Sequence, residues 1–188
     1  ALRISEALDK GVFPIQGPPG TGKSHTGARM ICSLVRRGKK VGITANRHKV
    51  IRHLSDKGIE AAHEMGIDVK CIQKPGEVEP SQRRLSFAKT NDDVFTALSV
   101  GAVQVAGATH FLWSRAGAIE TVDVLVVDEA AQMSLANVVA VGQAAPAMIL
   151  LGDPQQLEQP TQGSHPDGTG VSALDHILGE HQTILPNQ

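Results

Sequence analysis

The sequence is short of aromatic rings, with no tyrosine, one tryptophan and four phenylalanines among 188 residues. That scarcity argues against a binder built on rows of stacking platforms. Cysteine is scarce too. Cys32 and Cys71 are too few and too far apart for a disulfide scaffold or a metal knuckle, so reduced core thiols are expected. No run approaches the ~18 apolar residues of a membrane span. The most apolar stretch, residues 138–151, is interrupted by Gln143 and Pro146. No leader-like segment opens the chain, and a cytoplasmic protein with no membrane partner is expected. Basic residues are nearly missing from the second half: residues 90–188 hold only Arg115 against 11 acids, a balance of -10. Residues 1–89 hold 17 of the 18 Lys and Arg against 8 acids, a balance of +9. Such polarity often marks a polyanion on one side.

What is present points to one folded domain. Hydrophobic residues make up 41% and charged residues 20%, which excludes a disordered acidic tail, and 188 residues suffice for a real core. Short β-branched runs alternate with helical stretches, the pattern of an α/β fold with a mainly parallel sheet and helices on both faces. Strands are expected at residues 12–16, 40–45, 69–73, 103–108, 122–127 and 148–151. Helices are expected at 23–37, 46–65, 134–141 and 171–178, with Asn91 capping another through Leu98 and a short one around Trp113. Pro14 is awkward inside the first strand. Residues 74–89 read as a polar loop leading into a short helix, and 160–170, rich in Gly and Pro, as mobile. No internal repeat or second core is evident, so residues 1–188 read as a single domain. The start at Ala1 and the uncapped end at Leu185-Pro186-Asn187-Gln188 suggest a piece of something longer.

Gly17-Pro18-Pro19-Gly20-Thr21-Gly22-Lys23-Ser24 matches the Walker A pattern G-x-x-x-x-G-K-[ST], between a strand and a helix as the motif requires. Gly20 and Gly22 permit backbone conformations that turn successive N–H groups inward into an anion nest. The helix that follows adds its positive end. Lys23 is then in reach of β- and γ-phosphates, and the Ser24 hydroxyl is placed to ligate Mg²⁺. At the Walker B position, a buried-type strand ends in Asp128-Glu129-Ala130-Ala131-Gln132. In a parallel sheet that end shares a rim with the phosphate loop. Asp128 is expected to hold Mg²⁺ through water, and Glu129, on the opposite side of the pleat, to orient and deprotonate the attacking water. The pair points to hydrolysis of a nucleoside triphosphate.

A third strand runs into Gly152-Asp153-Pro154-Gln155-Gln156-Leu157 at the same rim. With these three elements in this order, the chain resembles the first RecA-like motor domain of superfamily 1 helicases. It is most similar to the 5′-to-3′ branch that includes the RNA-surveillance helicases and bacterial relatives fused to RecB-like nucleases; residues 163–166 resemble the fused forms. The resemblance implies a RecA-like P-loop fold, ATP and Mg²⁺ as cofactors, and single-stranded nucleic acid, DNA or RNA, as partner. By carry-over, Lys23, Ser24, Asp128 and Glu129 keep the roles above, and Gln156 is the γ-phosphate sensor. Thr44 and Asn46, in the segment that follows the second strand, and Thr109, in a later turn, are backbone-contacting positions. Two departures matter. The family's adenine-reading glutamine has no counterpart before Gln16. The arginines that complete the site belong to a second RecA-like domain, and this chain holds none. The chain alone is therefore expected to bind nucleotide and to hydrolyse it very slowly.

Other readings stay open beside this one. Lys49 and Arg52 are three apart on one face of their helix, fit either for a phosphate backbone or for plain solvation. His48, His53 and His63 lack the spacing of a zinc site and read as surface residues. Phe111 and Trp113 follow the Thr109 turn, where base stacking competes with core packing. The basic cluster Arg36, Arg37, Lys39 and Lys40 falls on the rim away from the phosphate loop. A ring-forming AAA+ remodelling module would want a helical lid, and a regulatory nucleotide-binding module would not need Glu129.

Overall fold

A computed structural model describes residues 1–76, 81–82, 84–153 and 171–179. In chain order the helices are α1 (Leu2–Ala7), α2 (Lys23–Arg36), α3 (His48–Glu64), α4 (Asn91–Ser99), α5 (His110–Trp113), α6 (Leu135–Val141) and α7 (Ala173–Leu178). The strands are β1 (Gly11–Gln16), β2 (Val41–Thr44), β3 (Cys71–Gln73), β4 (Leu85–Phe87), β5 (Val105–Gly107), β6 (Val124–Val127) and β7 (Ala147–Gly152). All seven pair in parallel, in the order β1-β7-β6-β2-β5-β3-β4. The α/β expectation holds, and every expected strand is present.

β2 and β6 are buried along their whole length, as strands covered on both faces must be. On one face α2 sets Ala28, Ile31 and Leu34 against α3 and the strands. On the other, α4 and α5 seal Val94, Leu98, Leu112 and Trp113 over β5 and β6. Trp113 is core: it is fully buried, and its Nε1 donates to the carbonyls of Ile43 and Ala108, each at 3.1 Å. That bond pair pins α5 to the place where β2 and β5 end. Cys32 and Cys71 are buried free thiols, and burial pushes Cys71 up to about 12, which keeps it an inert thiol at neutral pH.

Three local expectations need correction. β4 lies in the segment read as loop and short helix; it is only three residues long, too short to show a period, and it exists because β3 offers it an edge. α1 was not expected; Glu6 holds it, accepting from Ser33 Oγ and lying 3.7 Å from Arg37. α4 is capped by Thr90, not Asn91: Thr90 Oγ1 accepts from Asp93 N–H at 3.2 Å, and the Asp93 carboxylate accepts from Thr90 N–H at 2.8 Å. Pro14 is accommodated because, among the described residues, β1 is an edge strand paired only with β7. Among the described residues, no helix is long and apolar enough to cross a membrane. Gln156, residues 163–166 and the stretch 160–170 lie outside the described residues.

Candidate nucleotide site and the rim beside it

β1 delivers the chain to the carboxyl rim of the sheet, and residues 17–22 turn it back into α2. Gly20 and Gly22 sit at φ 80° and 82°, a region closed to most side chains, which is why the turn needs glycine at both places. Thr21 Oγ1 donates to the Pro18 carbonyl at 2.7 Å, and Lys23 Nζ donates to the carbonyls of Gly17 and Pro18. The loop thus organises its own lysine at its mouth. Beside it opens a cleft of about 520 Å³ lined by Pro19, Gly20, Gly22, Lys23, Ser24, Lys49, Asp128, Glu129 and Asp153.

The carboxylates reach this cleft by a local device. β6 ends at Val127, and Glu129 takes left-handed dihedrals (φ 52°, ψ 43°) before a 3₁₀ turn over Ala130–Gln132. For a non-glycine residue that conformation costs on the order of 1 kcal/mol. Continuing the pleat would have sent Glu129 to the opposite side from Asp128. The left-handed turn instead brings both carboxylates to one cleft. Glu129 Oε2 is buried without a hydrogen-bond partner among the described residues, an acceptor free for a proton or a water. Asp128 is buried, its Oδ1 accepting from Glu129 N–H at 2.9 Å. Burial pushes its carboxyl up to about 6; the Glu129 N–H bond opposes the rise, the Glu129 charge adds to it, and His53 and Lys23 oppose it.

Two oxygen donors, Ser24 and Asp128, therefore face one space beside the phosphate loop. Among the described residues, no group of three or more His, Cys, Asp or Glu is placed to hold a metal ion, so an all-protein metal cage is not what these residues build. A hydroxyl plus a carboxylate, completed by phosphate oxygens and water, suits Mg²⁺, and a cation there would draw the raised Asp128 carboxyl back to its charged form.

α3 contributes more than expected. Lys49, His53 and Lys57 all line the cleft. Their spacing, i, i+4 and i+8, puts them on one helix face, a signal legible in the sequence. Lys49 stands with the phosphate loop. Arg52 turns away, held by Asp56 at 2.9 Å and lying 5.1 Å from the Phe87 ring. The other positions expected to meet a polymer separate. Thr44 is fully buried, so its side chain is not presented at the surface. Asn46 is half-buried and Nδ2 donates to the Gln132 carbonyl, tying the end of β2 to the turn that carries Glu129. Thr109 is half-buried at the end of β5, where Ala108 N–H donates to Ile43 O at 3.0 Å. Asn46 and Thr109 thus share the rim above β2 and β5. At the opposite rim Lys40 N–H donates to the Asp123 carboxylate at 2.7 Å and Lys39 lies 3.9 Å from it, so the basic cluster there meets the acidic half of the chain directly.

A family described as an AAA domain matches residues 3–169. The chain belongs to this AAA-domain family. No curated protein matches it in sequence. Among solved structures, arterivirus nonstructural protein 10, a helicase in complex with DNA, is 18% identical over 88% of this AAA-domain chain, with a TM-score of 0.52. The Type ISP restriction-modification enzyme LlaGI, as a nuclease-deletion mutant with a DNA substrate mimic, is 13% identical over 90% of the chain, with a TM-score of 0.56. The chain spans 33% of the first and 18% of the second. At these identities the likeness is one of fold. Together with the family match it bears out the expected RecA-like P-loop fold.

Proposed function

We propose that this chain is the ATP-binding first motor domain of a superfamily 1 DNA or RNA helicase, whose intact form couples ATP hydrolysis to movement along nucleic acid. The observation that carries this is the convergence of Lys23, Ser24, Asp128 and Glu129 on one cleft at the carboxyl ends of parallel strands. The phosphate loop, Gly17, Pro18, Pro19, Gly20, Thr21 and Gly22, cradles phosphates through backbone N–H groups. Lys23 exchanges its loop carbonyls for the β- and γ-phosphates. Ser24 and Asp128 hold Mg²⁺, which when bound draws charge from the phosphate oxygens. Glu129, with its unpartnered Oε2, accepts a proton from the attacking water. Gln156 senses the γ-phosphate.

Asn46 and Thr109 touch the polymer, and Lys49 bridges the cleft and the track. The arginines that complete the site come from a second RecA-like domain, and a fused nuclease domain and a cytoplasmic setting belong to the same reading. An arginine finger is worth roughly 10³ to 10⁵ in rate in related phosphoryl transfer, so this chain alone binds ATP and barely turns it over. What favours a helicase motor over a ring-forming remodelling module is the sequence Gly152-Asp153-Pro154-Gln155-Gln156-Leu157, which begins at the end of β7. The only helix after it among the described residues is the six-residue α7.

Lys23→Ala tests the site. Titration calorimetry with ATP and Mg²⁺ is expected to show binding by the parent chain and none by the variant, with circular dichroism unchanged because the loop lies at the surface. Undiminished ATP affinity would sink the assignment, and steady nucleic-acid-stimulated turnover by residues 1–188 alone would sink the division of labour.

A further inference from the structure

The few aromatic rings of this chain are not equivalent. Trp113 is fully buried, and Phe13, Phe87 and Phe95 are half-buried against the body of the domain. Phe111 alone is open, at 73% exposure. Its position is not a loose end. α5 is anchored by the Trp113 Nε1 bonds to Ile43 and Ala108 and by buried Leu112. Successive residues of a helix step by about 100°. With Leu112 and Trp113 turned inward, Phe111 is the residue left facing out. The His110 ring, half-buried, sits with its centroid 4.1 Å from that of Phe111 at an interplanar angle of 36°, bracing it from one side. A ring held open by this many constraints is preorganised for something flat.

We propose that Phe111 is a base-stacking platform, receiving one unpaired nucleobase of a single-stranded nucleic acid whose phosphates pass Asn46 and Thr109. This rests on the reading of the β2–β5 rim as the polymer side, and adds to it a contact that the polymer's bases make. Three observations favour a base over a protein partner. The ring follows Thr109 by two residues, on the rim already assigned to the polymer. The exposed residues three and four positions further on, Ser114 and Arg115, are polar, so the ring stands alone on this face and does not continue an apolar stripe. The exposed side chains of Arg47 and Lys49, at the start of α3 beside Asn46, supply positive charge for the phosphates. A base within a duplex has both faces covered by its neighbours, so this ring selects unpaired strands while tolerating any sequence.

Fluorescence anisotropy at low salt separates ring from phosphates, using a labelled oligothymidylate of about 12 nucleotides and an abasic strand of equal length. The parent chain is expected to bind the thymidylate about 5-fold to about 100-fold more tightly than the abasic strand, the range one base on one ring spans. Phe111→Ala should erase that preference while keeping the affinity for the abasic strand, and Phe111→Trp should keep the preference. Equal affinities in the parent chain, or an undiminished preference in Phe111→Ala, overturn the ring's role alone. If neither strand binds, the rim reading falls and this one with it. If Phe111→Ala leaves both strands unaffected but converts a dimer to a monomer in sedimentation, the ring is a protein contact and the proposal is wrong.

Discussion

Asp128 offers the sharpest quantitative test, because its environment taxes the fold in a way that can be titrated. Its carboxyl stands at about 6 against an ordinary 3.8, with burial the largest cause. Between those values the folded chain holds a proton that the unfolded chain has released, so stability falls as pH rises through this window and levels off above about 6. The full penalty is about 3 kcal/mol at pH near 7.5, and about 1 kcal/mol remains near pH 4.5. Asp128→Asn keeps an acceptor for the Glu129 N–H and removes the charge. The variant should therefore exceed the parent by about 3 kcal/mol in urea denaturation near pH 7.5 and by about 1 kcal/mol near pH 4.5. The same substitution should abolish the stabilisation that Mg²⁺ with ATP confers on the parent, since the carboxylate is the proposed metal ligand. Below about pH 6 the parent's response should weaken as protons compete with Mg²⁺ for the carboxylate. A variant no more stable than the parent, or a difference that does not change with pH, would refute the burial argument. Unchanged Mg²⁺ dependence would refute the ligand role.

Two further outcomes follow from particular contacts. Thr90→Ala removes one arm of the capping box on α4 and should cost about 1 kcal/mol, read as a lower urea midpoint with an unchanged slope. Arg47 and Lys49 are the exposed cations nearest Asn46 on the proposed track, so the logarithm of oligonucleotide affinity should fall against that of salt with a slope of about -1.4. A slope several times steeper would mean that the densely basic first half of the chain grips the polymer far more extensively than this placement allows.

The elements that hold the site were legible in the chain because each depends on local chemistry. The phosphate loop is announced by glycines that only a left-handed turn requires, and β6 by an unbroken apolar run that only a doubly covered strand tolerates. β4 was not legible, since three residues carry no period and their strand character comes from the β3 edge. Lys49, His53 and Lys57 were readable as one helix face, but nothing in the chain said that this face meets the phosphate loop and not solvent. Nor did the motif Asp128-Glu129 say that both carboxylates share a cleft. Alternation along a strand argues the opposite, and the left-handed backbone at Glu129 reverses it.

The +9 and -10 halves show the same division. Charge along the chain suggested a polyanion-binding face, yet Arg37 and Lys39 lie beside Glu6 and Asp123, and Lys23 bonds its own loop. Residue type and spacing by themselves determined a parallel α/β domain with a phosphate loop and an acidic strand end, because backbone preference and burial period are properties of short stretches. Which side chains face one another was decided only by the fold, since strands 83 residues apart in the chain, such as β2 and β6 with Val41 opposite Val124, pair side by side. The aromatic pair shows it most simply. Phe111 and Trp113 are alike in sequence terms, and only the anchoring of α5 on the ends of β2 and β5 makes one the core and the other a surface.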